Sequence, residues 1–73
     1  MTARWETNSR WYEAQIVHDL FGAWTIVRVW GGKGSRRQGR MIDVVDNEAA
    51  AEARIETLNK ERCRRNPPYH RIA

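Results

Sequence analysis

"WTIVRVWGGKGSRRQGRMIDVV", residues 24–45, decides the fold. Residues 24–30 are β-branched and aromatic, which suits a strand. Gly31, Gly32, Gly34 and Gly39 then interrupt regular structure, so residues 31–39 read as a loop. Residues 40–45 alternate between apolar and polar and give a second strand. The hairpin loop is dense in cations. It carries Lys33, Arg36 and Arg37, with Arg40 where the second strand begins, and residues 31–40 hold no acid. In the first strand Trp24, Ile26, Arg28 and Trp30 share one side, and Thr25, Val27 and Val29 share the other. An unpaired buried guanidinium is costly. Thr25, Val27 and Val29 are therefore expected to face the core, leaving Trp30 at least partly exposed beside the loop; the alternative is Trp30 as a core residue at the strand end.

Upstream, residues 10–18 also alternate. Tyr12, Ala14 and Ile16 fall on one face, and Trp11, Glu13, Gln15 and Val17 on the other. Asp19 and Gly22 supply a turn into the next strand, and residues 3–7 suit a short strand. Downstream, Asp46 or Asn47 offers an N-cap, and residues 47–64 are strong helix formers. Ala51, Ile55 and Leu58 recur at helical spacing, and Arg62 continues their face. Asn66, Pro67 and Pro68 end the helix, and Tyr69 and Ile72 are placed to dock the tail on the sheet. The expected fold is α+β: an antiparallel sheet of three to four strands with one long C-terminal helix packed across one face.

The chain has 73 residues, which is room for a single domain, 1–73, with a thin core. Four tryptophans supply much of its apolar area. The net charge of +4 favours a polyanionic partner. Besides the loop, Lys60, Arg62, Arg64, Arg65 and Arg71 form a second basic run against Glu61 alone, and both runs are expected to mark the binding surface. One cysteine precludes an internal disulfide and fits a reducing compartment. The opening MTARWETNSR lacks the apolar core of a signal peptide, and no apolar run approaches membrane-spanning length. A cytoplasmic protein with no membrane contact is expected.

Few residues suggest chemistry. The fragment GGKGS, 31–35, fails the Walker pattern, because Lys33 is followed by Gly34 and no helix opens after it. His18, Cys63 and His70 lack metal-ligand spacing. Cys63 lies between two arginines, which favours a thiolate, but it has no evident base or oxyanion site. Glu48, Glu52 and Glu56 share a helix face of the solvated kind. The loop differs: N–H groups near its glycines suit an anion-binding nest, its cations suit phosphates, and Trp24 and Trp30 offer faces for a sugar or base.

Residues 12–39 resemble the WGR domain, a family named for a Trp-Gly-Arg signature. Asp19, Phe21, Gly22 and Trp24 match its Asp-x-Phe-Gly-x-Trp run. Arg28, Trp30, Gly31 and Gly34 match its Arg-x-Trp-Gly-Arg-x-Gly run, and the helix and Tyr69 also fall where such domains have them. Two positions depart. Gly32 stands where the signature has Arg, and Gln38-Gly39 reverses the family's Gly-Gln order. The family occurs both in small bacterial proteins and in the poly(ADP-ribose) polymerases. In the latter it touches DNA near strand breaks, and the signature Trp and Arg take part. The resemblance implies the fold and carries over Trp30, with Lys33, Arg36 or Arg37 as substitutes for the missing Arg.

The expected function is a non-catalytic nucleic-acid-binding module, for DNA before RNA, that needs no cofactor or metal. Its expected contact residues are Arg28, Trp30, Gly31, Lys33, Arg36, Arg37 and Arg40. The alternative is an adaptor that presents exposed tryptophans and the basic loop to an acidic protein. A small thiol enzyme using Cys63 is the third reading.

Overall fold

The computed structural model describes residues 1–73. Strands β1 (Thr2–Glu6), β2 (Arg10–His18), β3 (Trp24–Gly32) and β4 (Gln38–Val45) follow one another as an antiparallel meander. Helix α1 (Glu48–Cys63) comes next, and the two-residue β5 (His70–Arg71) closes the chain. The sheet order is β4-β3-β2-β1-β5. The expected three to four strands thus become five. The tail docks as an extra strand, with Trp5 paired to Arg71 and the Ile72 N–H donating to the Arg4 carbonyl at 2.8 Å.

Helix α1 starts where the sequence offers a cap. The Asn47 side chain accepts from the Ala50 N–H at 2.8 Å. Ala51, Ile55, Leu58 and Arg62 form its buried stripe. That stripe covers Ala3, Trp5, Tyr12, Ala14 and Ile26, with Trp30, Ile16 and Val45 packed at the margin. Trp5 is fully buried, and its indole N–H donates to Asn59 Oδ1 at 2.8 Å, which satisfies its one polar group. No element covers the opposite face of the sheet, where Ile42 and Val44 are exposed.

Strand β3 buries the side that charge had argued against. Ile26 is fully buried and Trp30 packs on the core, so Ile26, Arg28 and Trp30 face the helix. Thr25, Val27 and Val29 lie on the uncovered face. Pairing of the Arg28 charge explains the reversal. Its Nη2 donates to Asp43 Oδ1 at 3.1 Å and its Nη1 to the Tyr12 hydroxyl at 3.3 Å. Nε adds an ion pair to Asp43 Oδ2 at 2.9 Å that is out of line for a hydrogen bond. The β3–β4 register supplies this partner by setting Asp43 opposite Ile26, one step along the same face. Burial works against the Arg28 charge, but Tyr12 and Asp43 outweigh it and hold the guanidinium above its ordinary pKa.

The glycine loop is shorter than its glycines suggested. Gly31 and Gly32 end β3, and Gln38 and Gly39 begin β4, so only residues 33–37 connect the strands. Gly39 is a spacer rather than a breaker. It pairs with Trp30, and a Cβ there would lie well inside van der Waals contact with the indole. Trp30 rests over this bare backbone and stacks on Tyr12 across β2, with centroids 5.7 Å apart and planes 9° apart.

The β2–β3 turn accounts for most of the Asp-x-Phe-Gly-x-Trp run. Asp19 Oδ1 accepts from the Phe21 and Ala23 N–H groups at 2.8 and 2.9 Å. Gly22 adopts φ 83°, a left-handed value that favours glycine. Trp24 stacks on His18 at 4.1 Å. Phe21 is fully exposed, and nothing in the fold explains its presence.

Candidate nucleic-acid interface

At one end of the sheet the start of β2, the end of β3, the end of α1 and Tyr69 of the tail surround an open cleft of about 530 Å³. Gly31 and Gly32 form part of its wall and lead directly into the loop. Four aromatic residues (Trp11, Tyr12, Trp30 and Tyr69) and four arginines (Arg10, Arg28, Arg62 and Arg65) complete the lining, with no acid among them.

The arginines are not equivalent. Arg28 is committed to Asp43, as described. Arg62 lies over the Tyr12 ring, 3.8 Å from its centroid, with Tyr69 at 5.8 Å. It is 8% exposed and has no carboxylate partner. Arg10 and Arg65 are exposed at the rim, also without an ion pair. The last helical turn and the tail hold this wall together, since the Arg62 carbonyl accepts from the Tyr69 N–H at 3.0 Å.

The residues expected to bind from sequence fall into separate groups. Arg28, Trp30 and Gly31 line the cleft. Arg36 and Arg37 stand exposed in the loop with no acid partner. Lys33 is engaged instead with Glu6, its Nζ lying 2.7 Å from Oε1. Arg4 binds the other oxygen of Glu6 and also Glu13, at 3.0 and 2.9 Å, forming an ion cluster on the uncovered face. Lys33 and then Arg4 hold the Glu6 carboxylate below its usual pKa range. Arg40 pairs opposite Val29, on that uncovered face and away from the cleft.

The backbone nest does not form in the way the glycines suggested. The Lys33 N–H donates to the Ser9 carbonyl at 2.8 Å, Ser35 N–H to Gly32 at 3.1 Å, and Arg37 N–H to Ser35 Oγ at 3.1 Å. These donors close the loop and tie it to the β1–β2 turn, which leaves the Gly34 and Arg36 N–H groups without a protein acceptor beside the loop cations. None of the tryptophans is exposed: Trp5 is buried, and Trp11, Trp24 and Trp30 are partly buried. The adaptor reading therefore lacks the exposed indoles it relied on. Cys63 is exposed, with its Sγ 3.8 Å from Asn59 Oδ1. No three His, Cys, Asp or Glu residues gather at one point, and no helix is long and apolar enough to cross a membrane.

Sequence reasoning about the loop missed the cleft residues Arg10, Trp11, Tyr12 and Tyr69. The late basic run did point to Arg62 and Arg65. The usable signal was their i, i+3 spacing, which continues the Ala51, Ile55 and Leu58 stripe past the end of the core.

The model of one protein family, the WGR domain, matches residues 1–67. No curated protein and no solved structure matches the chain.

Proposed function

The chain belongs to the WGR domain family, and from that premise we propose that it is a non-catalytic module that binds DNA with the loop end of its sheet. WGR domains serve as nucleic-acid-binding modules in proteins related to the poly(ADP-ribose) polymerases. The observation that carries the reading for this chain is a convergence of uncompensated charge. Arg10, Arg62 and Arg65 line the cleft, Arg36 and Arg37 stand in the loop that follows its Gly31 and Gly32 wall, and none of the five has an acid partner. Guanidinium groups so placed displace counterions from phosphates and hydrogen-bond their oxygens in pairs. Arg28 and Trp30 serve this surface from beneath, setting the cleft wall rather than reaching for the backbone. Lys33 and Arg40 are left out of it.

Titration against nicked, blunt-ended and single-stranded DNA at two salt concentrations tests the proposal. Arg36→Ala combined with Arg37→Ala is expected to weaken binding and to lower the salt slope by about 0.9 for each duplex phosphate no longer neutralised. Unchanged affinity and slope in a folded double variant would remove the loop from the interface.

A further inference from the structure

We infer that the arginine cleft is also a binding site for a small soluble ligand, a nucleoside di- or triphosphate. The starting point is Arg62. Of the cations without an acid partner it alone is buried, and its Nε has no hydrogen-bond partner. Elsewhere the chain compensates its partly buried cations. Arg4 has Glu6 and Glu13, Arg28 has Asp43, and Arg54 has Asp43 and Glu61. A buried guanidinium left on an aromatic face, opening into a cleft, is a site prepared for an anion from outside.

The amount of charge selects the anion. With Arg28 neutralised by Asp43, the cleft presents the guanidinium groups of Arg10, Arg62 and Arg65 around about 530 Å³, a volume typical of small-molecule sites. A nucleic-acid strand spreads its charge along a line, about one per 3.4 Å of helix axis. A terminal phosphate carries about −1.5 to −2 at neutral pH, and each further phosphate in the chain adds to it at the same point. A polyphosphate therefore matches three clustered guanidinium groups better than a passing diester does. The aromatic walls, Tyr12, Trp30 and Tyr69, add apolar surface that inorganic polyphosphate cannot use and a nucleoside can.

The inference shares the cleft with the DNA-binding reading but does not depend on it. Isothermal titration of the whole chain with ADP, AMP and inorganic pyrophosphate tests it. ADP is expected to bind tightest, with AMP and pyrophosphate each weaker by about tenfold. Arg10→Ala and Arg65→Ala, both at exposed positions, are each expected to weaken ADP by about tenfold without disturbing the fold. Arg62→Met should abolish ADP binding, and if that variant fails to fold, the two rim variants carry the test. Arg36→Ala with Arg37→Ala should keep ADP binding while weakening DNA binding, which separates the cleft's own ligand from the loop's part in holding DNA. No heat or melting shift with ADP at about 5 mM would overturn the inference. So would equal affinity for ADP and pyrophosphate, or ADP binding indifferent to Arg10 and Arg65.

Discussion

Gly39→Ala should change sign with its partner. In the wild-type chain the new methyl group meets the Trp30 indole, which must move off the strand. Trp30 also stacks on Tyr12 at 5.7 Å, so displacing it loosens that stacking as well. Overpacking of this kind costs about 1–3 kcal/mol. Gly39 does not have positive φ, so its backbone accepts alanine without strain. In a Trp30→Ala background the obstruction is gone, and the same substitution should stabilise by about 0.5–1 kcal/mol through lower unfolded-state entropy. The coupling energy of the cycle is then about 1.5–4 kcal/mol. Trp30→Ala alone should cost about 2–3 kcal/mol, below the range for a fully buried aromatic because Trp30 is only partly buried. Thermal melts followed by far-UV circular dichroism measure all four variants. In a domain of this size each kcal/mol moves Tm by about 4–8 °C, so the sign change is resolvable. If Gly39→Ala had the same effect in both backgrounds, the indole would not rest over Gly39 and the account of the short loop would fail.

Asp43→Asn should destabilise by about 2–3 kcal/mol, since it strips a partly buried guanidinium of its counter-charge. Arg28→Met added to it should recover much of that in chemical denaturation, and a double variant no better than the single would contradict the pairing. The depressed Glu6 pKa implies stability that is fully present above about pH 4.5, the ordinary value for this carboxyl, and lost as pH falls through the lower folded value. Denaturation midpoints from about pH 5 to 3 should therefore fall more steeply for the wild type than for Glu6→Gln, and parallel curves would count against the ion cluster. Lys33→Ala, unlike the Arg36 and Arg37 changes, should leave the salt slope of DNA binding within about 0.3 of wild type, because Lys33 is held by Glu6. A drop of a full unit would return Lys33 to the interface.

Strand and helix positions were legible because alternation and helical spacing are local properties. The N-cap at Asn47 and the Ala51, Ile55, Leu58 stripe came directly from them. The burial of the Arg28 side of β3 was not legible. It depends on Asp43 arriving from the neighbouring strand, and a single strand's pattern does not contain the register. The length of the loop was misread for a related reason. Gly39 signals a break in isolation, and only its cross-strand neighbour reveals that it makes room for Trp30. The cleft was half visible. The late basic run identified Arg62 and Arg65, while Arg10 and Tyr12 reach the same point from β2 and Tyr69 from the tail.

The meander has a consequence for the order in which the chain assembles. Strands β2 and β3 are neighbours in sequence and share nine-residue spans, so their hairpin forms by closing only the short turn fixed by Asp19. The β3–β4 hairpin closes across residues 33–37 in the same way. The β1–β5 pairing joins opposite ends of the chain and is complete only when everything between is in place. Its two residues are also the least able to hold themselves. Amide exchange should therefore be slowest at Ile26 and its neighbours and fastest along His70–Arg71. The arginine wall of the cleft leans on this last-formed element through Tyr69. The opening of the tail thus sets how often the wall comes apart.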